Sequence, residues 1–254
     1  MGILNVTPDS FSDGGEFFDI DDAINQACIM EEEGADIIDI GGESSRPGAE
    51  EISAKEELKR ISPVLKKLLF RIEIPVSVDT YKSAVAEEVL EMGVDIINDI
   101  KGLQGDNRMA EVVASYSVPV VIMHNARLYE ENSGNIIEDI KYFFNKSINI
   151  ANKAGISDNN IILDPGIGFG TNQKENLDIM RNLKELKKMG YPLLLGTSRK
   201  SMLGRILNLP PQQRLEGTIA TTVMGIMQGV DIVRVHDVKE NLRAIQVVDE
   251  IYRN

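Results

Sequence analysis

Three side chains that accept hydrogen bonds come at the ends of apolar runs in the sequence. Asp79 ends the run VSVD, Asn98 lies in IIND and Asp164 ends IILD. Carboxylates accept N–H groups and a carboxamide both accepts and donates, so the three suit a flat ring that offers N–H donors beside a carbonyl. After Asp164 the chain continues with PGIGFG, whose glycines leave space for a flat ligand beside the backbone. These residues predict a site for an N–H-rich heterocycle.

Basic residues gather late in a chain that is acidic as a whole. They occur in SRKS (198–201) and RVH (234–236), and they are Arg199, Lys200, Arg234 and His236. Such side chains bind anions, and SRKS precedes a predicted helix whose first N–H groups also attract negative charge. The predicted ligand is therefore a small molecule with a flat N–H-rich head and an anionic tail.

No pair of a nucleophile and a base is evident in the sequence. His124 and His236 follow different predicted strands, and neither adjoins a serine or cysteine nucleophile. The motifs H-E-x-x-H and C-x-x-C are absent from the sequence, so a protein zinc site is not expected. A Mg²⁺ ion held largely by a substrate diphosphate would need few protein ligands.

A recurring phrase indicates how these residues are positioned. It occurs as EGADIIDIGG (33–42), MGVDIINDI (92–100) and QGVDIVRVHD (228–237). Each copy has a glycine, a small apolar residue, an aspartate and then β-branched residues. This pattern predicts a helix that stops at a glycine in the left-handed conformation and is followed by a buried strand. Gly155 and Gly190 precede apolar runs in a similar way.

Eight short apolar runs recur along the chain. They are 3–6, 37–40, 76–79, 96–99, 118–123, 161–164, 193–196 and 232–236. Continuous apolar runs suit strands buried on both faces of a parallel sheet. Helical patterns lie between them, as at 174–189 and 238–251. The alternation predicts an α/β fold, a single (β/α)8 TIM barrel over residues 1–254, rather than a doubly wound open sheet, which would show a glycine fingerprint after its first strand.

In such barrels the active site lies at the carboxyl ends of the strands, and a phosphate often binds after strands seven and eight. The polar residues at these ends are Asn5, Asp39, Asp79, Asn98, Asp99, His124, Asp164, Ser198 to Ser201 and Arg234 to His236. Any one of them could instead cap the helix that follows. Together they favour a site, and the long segments 7–19 and 41–53 on the same edge are expected to serve it.

Composition limits the partners and the compartment. The chain has 27 basic and 40 acidic residues and a net charge of −13, so nucleic acid and anionic membranes, which need a basic face, are not expected as partners. Cys28 is the single cysteine, which allows no intrachain disulfide and fits a cytoplasmic location. We expect Cys28 to be a small buried helix residue. No apolar run approaches the ~20 residues that a membrane helix needs, and the first residues lack a signal-peptide pattern.

Several motifs, in this order, resemble one enzyme family. They are GILNVTPDSFSDGG (2–15), IDIGGESSRPGA (38–49), VSVDT (76–80), INDI (97–100), DPGIGFG (164–170), GTSRKS (196–201) and RVHDV (234–238). In combination they are similar to the dihydropteroate synthases, pterin-binding barrel enzymes of folate biosynthesis. The resemblance implies the condensation of 6-hydroxymethyl-7,8-dihydropterin diphosphate with para-aminobenzoate to 7,8-dihydropteroate and diphosphate. It also implies Mg²⁺ as a cofactor and a homodimer formed through the later helices.

The resemblance assigns a role to each matching residue. The pterin ring would be held by Asp79, Asn98, Asp164 and Lys200, with Met123 packed near it. The diphosphate would be bound by Asn5, Arg234 and His236, with Asn5 as the residue nearest to Mg²⁺. The aminobenzoate pocket would be shaped by Pro47, Phe169 and Ser201. Mobile loops would contribute Phe11 and Asp13 from the first and Ser45, Arg46 and Pro47 from the second. The residues expected to act in catalysis are Asp79, Asp164, Lys200, Arg234 and His236.

Departures from the family pattern and two alternatives accompany this assignment. The family usually has a short stretch, often a hairpin, before the strand of GILNVTP, whereas this sequence starts within that motif. Ser45 stands where many members of the family have threonine, and NARLYEENSGN (125–135) differs from the usual stretch. One alternative is a methyltetrahydrofolate:corrinoid methyltransferase, which needs no diphosphate subsite and would have no use for SRPG, SRKS and RVH. The other is a non-catalytic pterin-binding paralogue, which should have lost residues of the site.

Overall fold

The structure is a computed structural model that describes residues 1–7, 20–44, 49–128 and 133–252. Within these ranges, short parallel strands alternate with helices. The strands are β1 (Gly2–Asn5), β2 (Ile38–Gly41), β3 (Val76–Asp79), β4 (Ile96–Asp99), β5 (Val120–Met123), β6 (Ile161–Asp164), β7 (Leu194–Leu195) and β8 (Ile232–Val233). Each predicted apolar run contains or overlaps one of them. The last two runs form regular strands over two residues each, fewer than predicted.

Hydrogen bonds between the ends of the sheet close it into a barrel. β1 to β6 pair in chain order, and β7 pairs with β8. The N–H of Leu163 donates to the carbonyl of Pro192 at 2.9 Å, which joins β6 to the start of β7. The N–H of Ile3 donates to the carbonyl of Val235 at 2.9 Å, which joins β1 to the end of β8. The predicted (β/α)8 barrel is therefore confirmed.

Helices surround the strands. They are α1 (Ile20–Glu32), α2 (Ala54–Leu68), α3 (Ser83–Glu91), α4 (Met109–Tyr116), α5 (Ile136–Ala154), α6 (Gln173–Arg181), α7 (Leu183–Lys187), α8 (Ser201–Leu207), α9 (Leu215–Met227) and α10 (Val238–Tyr252). A large cluster of buried apolar side chains joins the helices to the strands. Cys28 lies in α1 and is half-buried, less enclosed than expected. In the part of the chain that the structure describes, no helix is long and apolar enough to span a membrane.

The predicted junction between helix and strand occurs at all three copies of the recurring phrase. Gly34, Gly93 and Gly229 have φ angles of 93°, 103° and 93°, in the left-handed region that residues with a side chain rarely adopt. Each lies two residues after the last residue of α1, α3 or α9 and precedes β2, β4 or β8. The same conformation recurs at Gly155 and Gly190, as predicted.

The helix predicted at 174–189 is divided in two. α6 and α7 are separated by Asn182, which leaves the helical conformation with φ −122° and ψ 21°. Its carboxamide donates to the carbonyl of Asp178 at 2.8 Å, a local bond by which asparagine competes with the helical backbone. The apolar stripe survives the break, with Met180, Leu183 and Leu186 buried.

The inside of the barrel changes from apolar to polar along the strands. A small apolar cluster fills its floor, formed by Met1, Ile37, Ile96, Val121, Ile162, Leu194 and Ile232. Two residues further along the same strands stand Asp39, Asn98, Met123, Asp164, Gly196 and Arg234. Residues two apart in a strand share one face, so both sets face inward. Polar side chains therefore lie above an apolar floor, at the carboxyl ends of the strands.

Candidate active site

A network of charged and polar side chains crosses the inside of the barrel. The Nε of Arg234 donates to Oδ2 of Asp39 at 2.6 Å, and its Nη2 donates to Oδ2 of Asp79 at 2.9 Å. The Nδ2 of Asn98 donates to the same Oδ2 of Asp39 at 3.1 Å. Asp39 is fully buried and Asn98 is 3% exposed. The residues after β8 and within β2, β3 and β4 thus meet around one guanidinium group.

Asp79 carries an unusual protonation equilibrium for an aspartate. Burial raises the pKa of Asp79 to about 7, because the carboxylate loses its hydration inside the barrel. The positive charge of Arg234 opposes this rise, and the negative charge of Asp39 adds to it. Asp79 therefore changes its charge near neutral pH, where it can hold or release a proton.

Asp164 and Lys200 interact electrostatically at the barrel mouth. Burial raises the pKa of Asp164, and the nearby ammonium of Lys200 opposes the rise. Burial lowers the pKa of Lys200 to about 8, against the attraction of Asp164. The Nζ of Lys200 donates to the carbonyl of Ile167 at 2.5 Å and lies 4.7 Å from the centre of the Phe169 ring. The ammonium of Lys200 thus lies close enough to the carboxylate of Asp164 to interact with it.

Two glycines keep the centre of the mouth open. A methyl group added to Gly196 would lie 3.9 Å from both Cβ of Arg234 and Nζ of Lys200. A methyl group added to Gly41 would lie 3.8 Å from Cβ of Asp79 and 3.9 Å from Oδ1 of Asn5. Both distances are ordinary van der Waals contacts, so side chains there would fill space between site residues. The missing side chains leave room for a flat ligand.

The turn 197–200, which connects β7 to α8, is held by hydrogen bonds from several elements. Arg199 has φ 58°, an unfavourable left-handed conformation for a residue with a side chain. The hydroxyls of Thr197 and Thr221 are 2.8 Å apart. Arg199 binds the carboxylate of Asp237, with Nη2 2.5 Å from Oδ1. Strained backbone of this kind persists where the surrounding structure determines it from several sides.

Arg214, at the start of α9, completes the support of this turn. Its Nη1 donates to the carbonyls of Arg199 at 2.8 Å and Lys200 at 3.1 Å, and its Nε donates to the carbonyl of Leu209 at 2.9 Å. The guanidinium lies against Gly204, where an added methyl group would come within 2.2 Å of Nη2. Nothing in the local sequence pattern marks Arg214, because its partners are backbone atoms of another element.

Both arginines among the four basic residues of the charge-based prediction are paired with carboxylates in the structure. Arg199 is paired with Asp237, and Arg234 is paired with Asp39 and Asp79. Like charges repel when they are crowded in a poorly hydrated space, and here each guanidinium is compensated by its own carboxylates. Of the four, His236 lies beside the turn, with Nδ1 2.9 Å from the hydroxyl of Ser198.

The remaining predicted residues surround this centre. Met123 is buried and is the register partner of Asp164, which places it beside the acidic end of β6. Asn5 ends β1 and is the register partner of Gly41. Phe169 is half-buried, and Ser201 is exposed as the first residue of α8. Phe11, Asp13, Ser45, Arg46 and Pro47 lie outside the described residues, as do most of the segment 7–19 and part of 41–53.

Two polar residues at the strand ends have structural roles. The carboxylate of Asp99 accepts the backbone N–H groups of Lys101 at 2.7 Å and Leu103 at 2.8 Å, so it stabilises a turn. His124 is fully buried, and its ring meets Phe143 edge-to-face at 5.2 Å. Burial lowers the pKa of His124 to about 4, which keeps its ring neutral at physiological pH. Hydrogen bonds to a turn explain Asp99, and packing in the core explains His124, so neither requires a ligand.

Sequence reasoning missed a charged cluster next to the site. The ammonium of Lys82 binds the carboxylate of Glu43 and lies 2.6 Å from Oε2 of the buried Glu57. The hydroxyl of Tyr81 donates to Glu43 at 3.0 Å. Lys101 lies 3.6 Å from the centre of the Tyr81 ring. Charged residues are common on surfaces, and their sequence positions do not reveal that these converge.

Comparisons with known proteins agree with this geometry. The model of the family described as pterin binding enzyme matches residues 1–236. A dihydropteroate synthase of Clostridium beijerinckii is 55% identical over 254 residues, covering 100% of this chain and 94% of that protein. One of Bacillus subtilis is 50% identical over 249 residues, covering 98% of this chain and 87% of that protein.

Solved structures show the same likeness. A dihydropteroate synthase of Clostridium difficile, crystallised in the presence of pteroic acid, has a TM-score of 0.97 and 55% identity, with 100% of this chain and 96% of that chain covered. A Yersinia pestis dihydropteroate synthase in complex with a sulfonamide drug has a TM-score of 0.93 and 45% identity, with 100% and 94% covered. On the combined evidence of its fold, its site and these relatives, the chain belongs to the dihydropteroate synthases, within the pterin-binding enzyme family.

Proposed function

We propose that the barrel mouth binds a dihydropterin with its ring between Asp79, Asn98, Asp164 and Lys200, and its diphosphate toward His236. The chain is a transferase that condenses 6-hydroxymethyl-7,8-dihydropterin diphosphate with para-aminobenzoate to 7,8-dihydropteroate and diphosphate. The observation that carries the proposal is the inward-facing set of acids and bases centred on Arg234, above an apolar floor.

The acceptors suit the edge of a pterin. That edge presents N–H groups beside a carbonyl, and carboxylates bind such groups well when both are withdrawn from water. Asp79 and Asp164 lie on opposite sides of Asn98 in strand order. Lys200 can donate to the ring carbonyl or to a ring nitrogen. Met123 supplies an apolar surface beside Asp164.

The charge inside the barrel favours positive charge on the ring. Three carboxylates, those of Asp39, Asp79 and Asp164, face the two cations Arg234 and Lys200. As diphosphate departs, electron density from the ring stabilises the carbon that it leaves, and positive charge spreads into the ring. Fixed carboxylates in a poorly hydrated site stabilise such charge without reorganising. The reaction therefore needs little activation of the amine of para-aminobenzoate.

The departing diphosphate is proposed to be bound by Arg234 and His236. Two nitrogens of Arg234 are held by carboxylates, while Nη1 makes no hydrogen bond with any described residue. His236 is oriented by Ser198. Para-aminobenzoate would lie between Phe169 and the start of α8, where Ser201 and the first N–H groups of the helix accept its carboxylate. Phe11 and Pro47 are proposed to complete this pocket, with Asp13, Ser45 and Arg46 in the adjoining segments.

Mg²⁺ fits the residues that the chain supplies. The carboxamide oxygen of Asn5 is a hard donor of the kind that Mg²⁺ prefers, and it lies at the open space beside Gly41. Among the described residues, no group of three or more His, Cys, Asp or Glu side chains could hold a metal. Asn5 would therefore hold an ion that takes most of its ligands from diphosphate and water, and the ion would neutralise charge on the leaving group.

The whole chain, residues 1–254, is proposed to be one barrel domain that forms a homodimer in the cytoplasm. The single domain is supported by the continuous core that joins strands to helices. Dimerisation through the later helices is supported by exposed apolar side chains on them, which are Met224, Met227, Val247, Ile251 and Tyr252. The cytoplasmic location is supported by the free thiol of Cys28.

Diphosphate release that depends on para-aminobenzoate tests the proposed function. The purified protein should release diphosphate from the pterin substrate when para-aminobenzoate and Mg²⁺ are present. Arg234→Ala should abolish this release, while Arg205→Ala, a change of the same kind at an exposed position of α8, should preserve it. Failure to release diphosphate would contradict the proposal. Corrinoid-dependent methyl transfer from methyltetrahydrofolate would favour the alternative activity.

A further inference from the structure

Asp39 occupies the centre of the network in the barrel. It is fully buried in β2, and its Oδ2 accepts hydrogen bonds from Nε of Arg234 at 2.6 Å and from Nδ2 of Asn98 at 3.1 Å. Its other oxygen, Oδ1, is buried without a hydrogen-bond partner among the described residues. A buried carboxylate is costly unless it is paired, so its presence here calls for a function.

The contact with Asp39 determines how the carboxamide of Asn98 is turned. An ionised carboxylate can only accept hydrogen bonds, so the nitrogen of the Asn98 amide must face Asp39. The amide oxygen then faces away from Asp39. That oxygen makes no hydrogen bond with any described residue and is not sealed from solvent. Asn98 is the register partner of Asp79, so its oxygen is available next to that carboxylate.

The same carboxylate fixes the guanidinium of Arg234. Asp39 binds Nε and Asp79 binds Nη2, so two carboxylates from neighbouring strands hold the group. With only Asp79 as a partner, the guanidinium could rotate about a single contact. Two contacts restrict its plane and leave Nη1 available, as a preorganised site requires.

We propose that Asp39 is a positioning residue for the reaction, which holds the guanidinium of Arg234 and turns the amide of Asn98 so that its oxygen accepts from the bound ring. This inference rests on the proposed function, because it takes Asn98 and Arg234 as residues that touch the substrate. Asp39 itself acts only through the hydrogen bonds that it accepts from Asn98 and Arg234.

The charge of Asp39 provides a signature that a purely structural role lacks. Burial is the largest cause of the raised pKa of Asp79, Arg234 opposes it, and Asp39, Glu57 and Asp99 add to it. Loss of the Asp39 charge should therefore lower the pKa of Asp79. Lys200, which also interacts electrostatically with Asp79, keeps its side chain in the variant. If the ring binds to ionised Asp79, its affinity falls at low pH as Asp79 becomes protonated. This fall in affinity, the acidic limb of the binding profile, should move to lower pH in the variant.

The test compares Asp39→Asn with Ser77→Ala. Ser77 is the register partner of Asp39 and is fully buried, and its hydroxyl has no hydrogen-bond partner among the described residues. Binding of 6-hydroxymethylpterin is measured by calorimetry from about pH 5 to about pH 9, together with kcat and KM of the wild-type enzyme and each variant. We expect Asp39→Asn to weaken ring binding at least about tenfold above neutral pH, with its acidic limb at lower pH. Ser77→Ala should match the wild type.

A double-mutant cycle separates positioning from general damage. Asp39→Asn should cost much less affinity when Asn98→Ala is already present, because the residue through which it acts is gone. Equal costs in the two backgrounds, unchanged affinity in Asp39→Asn, or a loss with no displacement of the acidic limb would each overturn the inference. If Asp39→Asn does not fold, Asp39→Asn/Arg234→Gln removes both members of the buried pair and is compared with Arg234→Gln alone.

The control reactions also separate this inference from the proposed function. A wild-type protein that releases no diphosphate with both substrates would contradict the proposed function. An active wild type with an unaffected Asp39→Asn variant would contradict the positioning role and leave the function intact.

Discussion

The hydroxyl oxygen of Ser198 lies 2.9 Å from Nδ1 of His236, and it also accepts the backbone N–H of His236 at 3.2 Å. Because the oxygen accepts from the backbone, its own hydrogen can donate to Nδ1. The neutral imidazole then carries its proton on Nε2. Ser198 thus orients the imidazole of His236, and in the tautomer with its proton on Nε2 that nitrogen can donate to an anion.

This relationship predicts a selective effect of Ser198→Ala. The variant should bind the pterin diphosphate several-fold more weakly, at a cost of about 1 kcal/mol, because the histidine loses the bond that orients it. Affinity for 6-hydroxymethylpterin, which lacks the diphosphate, should not change. Calorimetric titration with both ligands measures the difference, and His236→Ala should show the same selectivity with a larger loss. Equal losses for the two ligands would place the pair outside the anion site.

Asp164→Asn should bind the pterin ring more weakly while the barrel remains folded. The amide would present one donor to N–H groups of the ring, a mismatch that costs roughly 2–4 kcal/mol. Ring affinity is measured by calorimetry and folding by circular dichroism. Asp158→Asn is the matched control, since Asp158 is exposed before β6 and binds the hydroxyl of Tyr191 at 2.9 Å. Full ring affinity in Asp164→Asn would remove Asp164 from the ring site.

The raised pKa of Asp79 predicts that the stability of the folded protein depends on pH. This pKa is raised by burial from the ordinary value of 3.8 to about 7 in the folded protein. The folded state therefore binds more protons than the unfolded state between these values, and this contribution to stability is lost as pH rises through about 7. The unfolding temperature of Asp79→Asn, relative to the wild type, should rise with pH from about 4 to about 8. A difference independent of pH would show that Asp79 ionises normally.

Arg214→Ala should destabilise the turn 197–200 and reduce catalysis. The substitution removes three hydrogen bonds from a charged group to the carbonyls of Arg199, Lys200 and Leu209, at a cost of about 2–3 kcal/mol. It also releases the strained backbone at Arg199, which directs the next residue, Lys200, toward Asp164. Urea unfolding and kcat measure the two effects. Arg205→Ala in α8 is the control and should change neither the stability to urea nor kcat. If Arg214→Ala also changed neither, Arg214 would not support the turn.

The sequence was sufficient for the architecture and for most of the residues at the barrel mouth. Apolar runs mark strands wherever both faces are buried, and the glycine junctions at Gly34, Gly93 and Gly229 mark where helices end. Both signals are local, since they depend on backbone conformation and on burial of neighbouring residues. The polar residue at each strand end could therefore be assigned to the carboxyl edge before any contact was known. The roles of Phe11, Asp13, Ser45, Arg46 and Pro47 stay predictions.

Only the tertiary structure decided which side chains meet. Arg234 and Asp39 are 195 positions apart, and they touch because the closure of the barrel brings the end of β8 beside β1 and β2. The alternation of side chains tells which face of a strand a residue occupies, but the register and closure of the strands determine what it faces across the barrel. The charge pattern of the sequence therefore indicated one anion site formed by Arg199, Lys200, Arg234 and His236. In the fold, each arginine is paired with acids from distant parts of the chain.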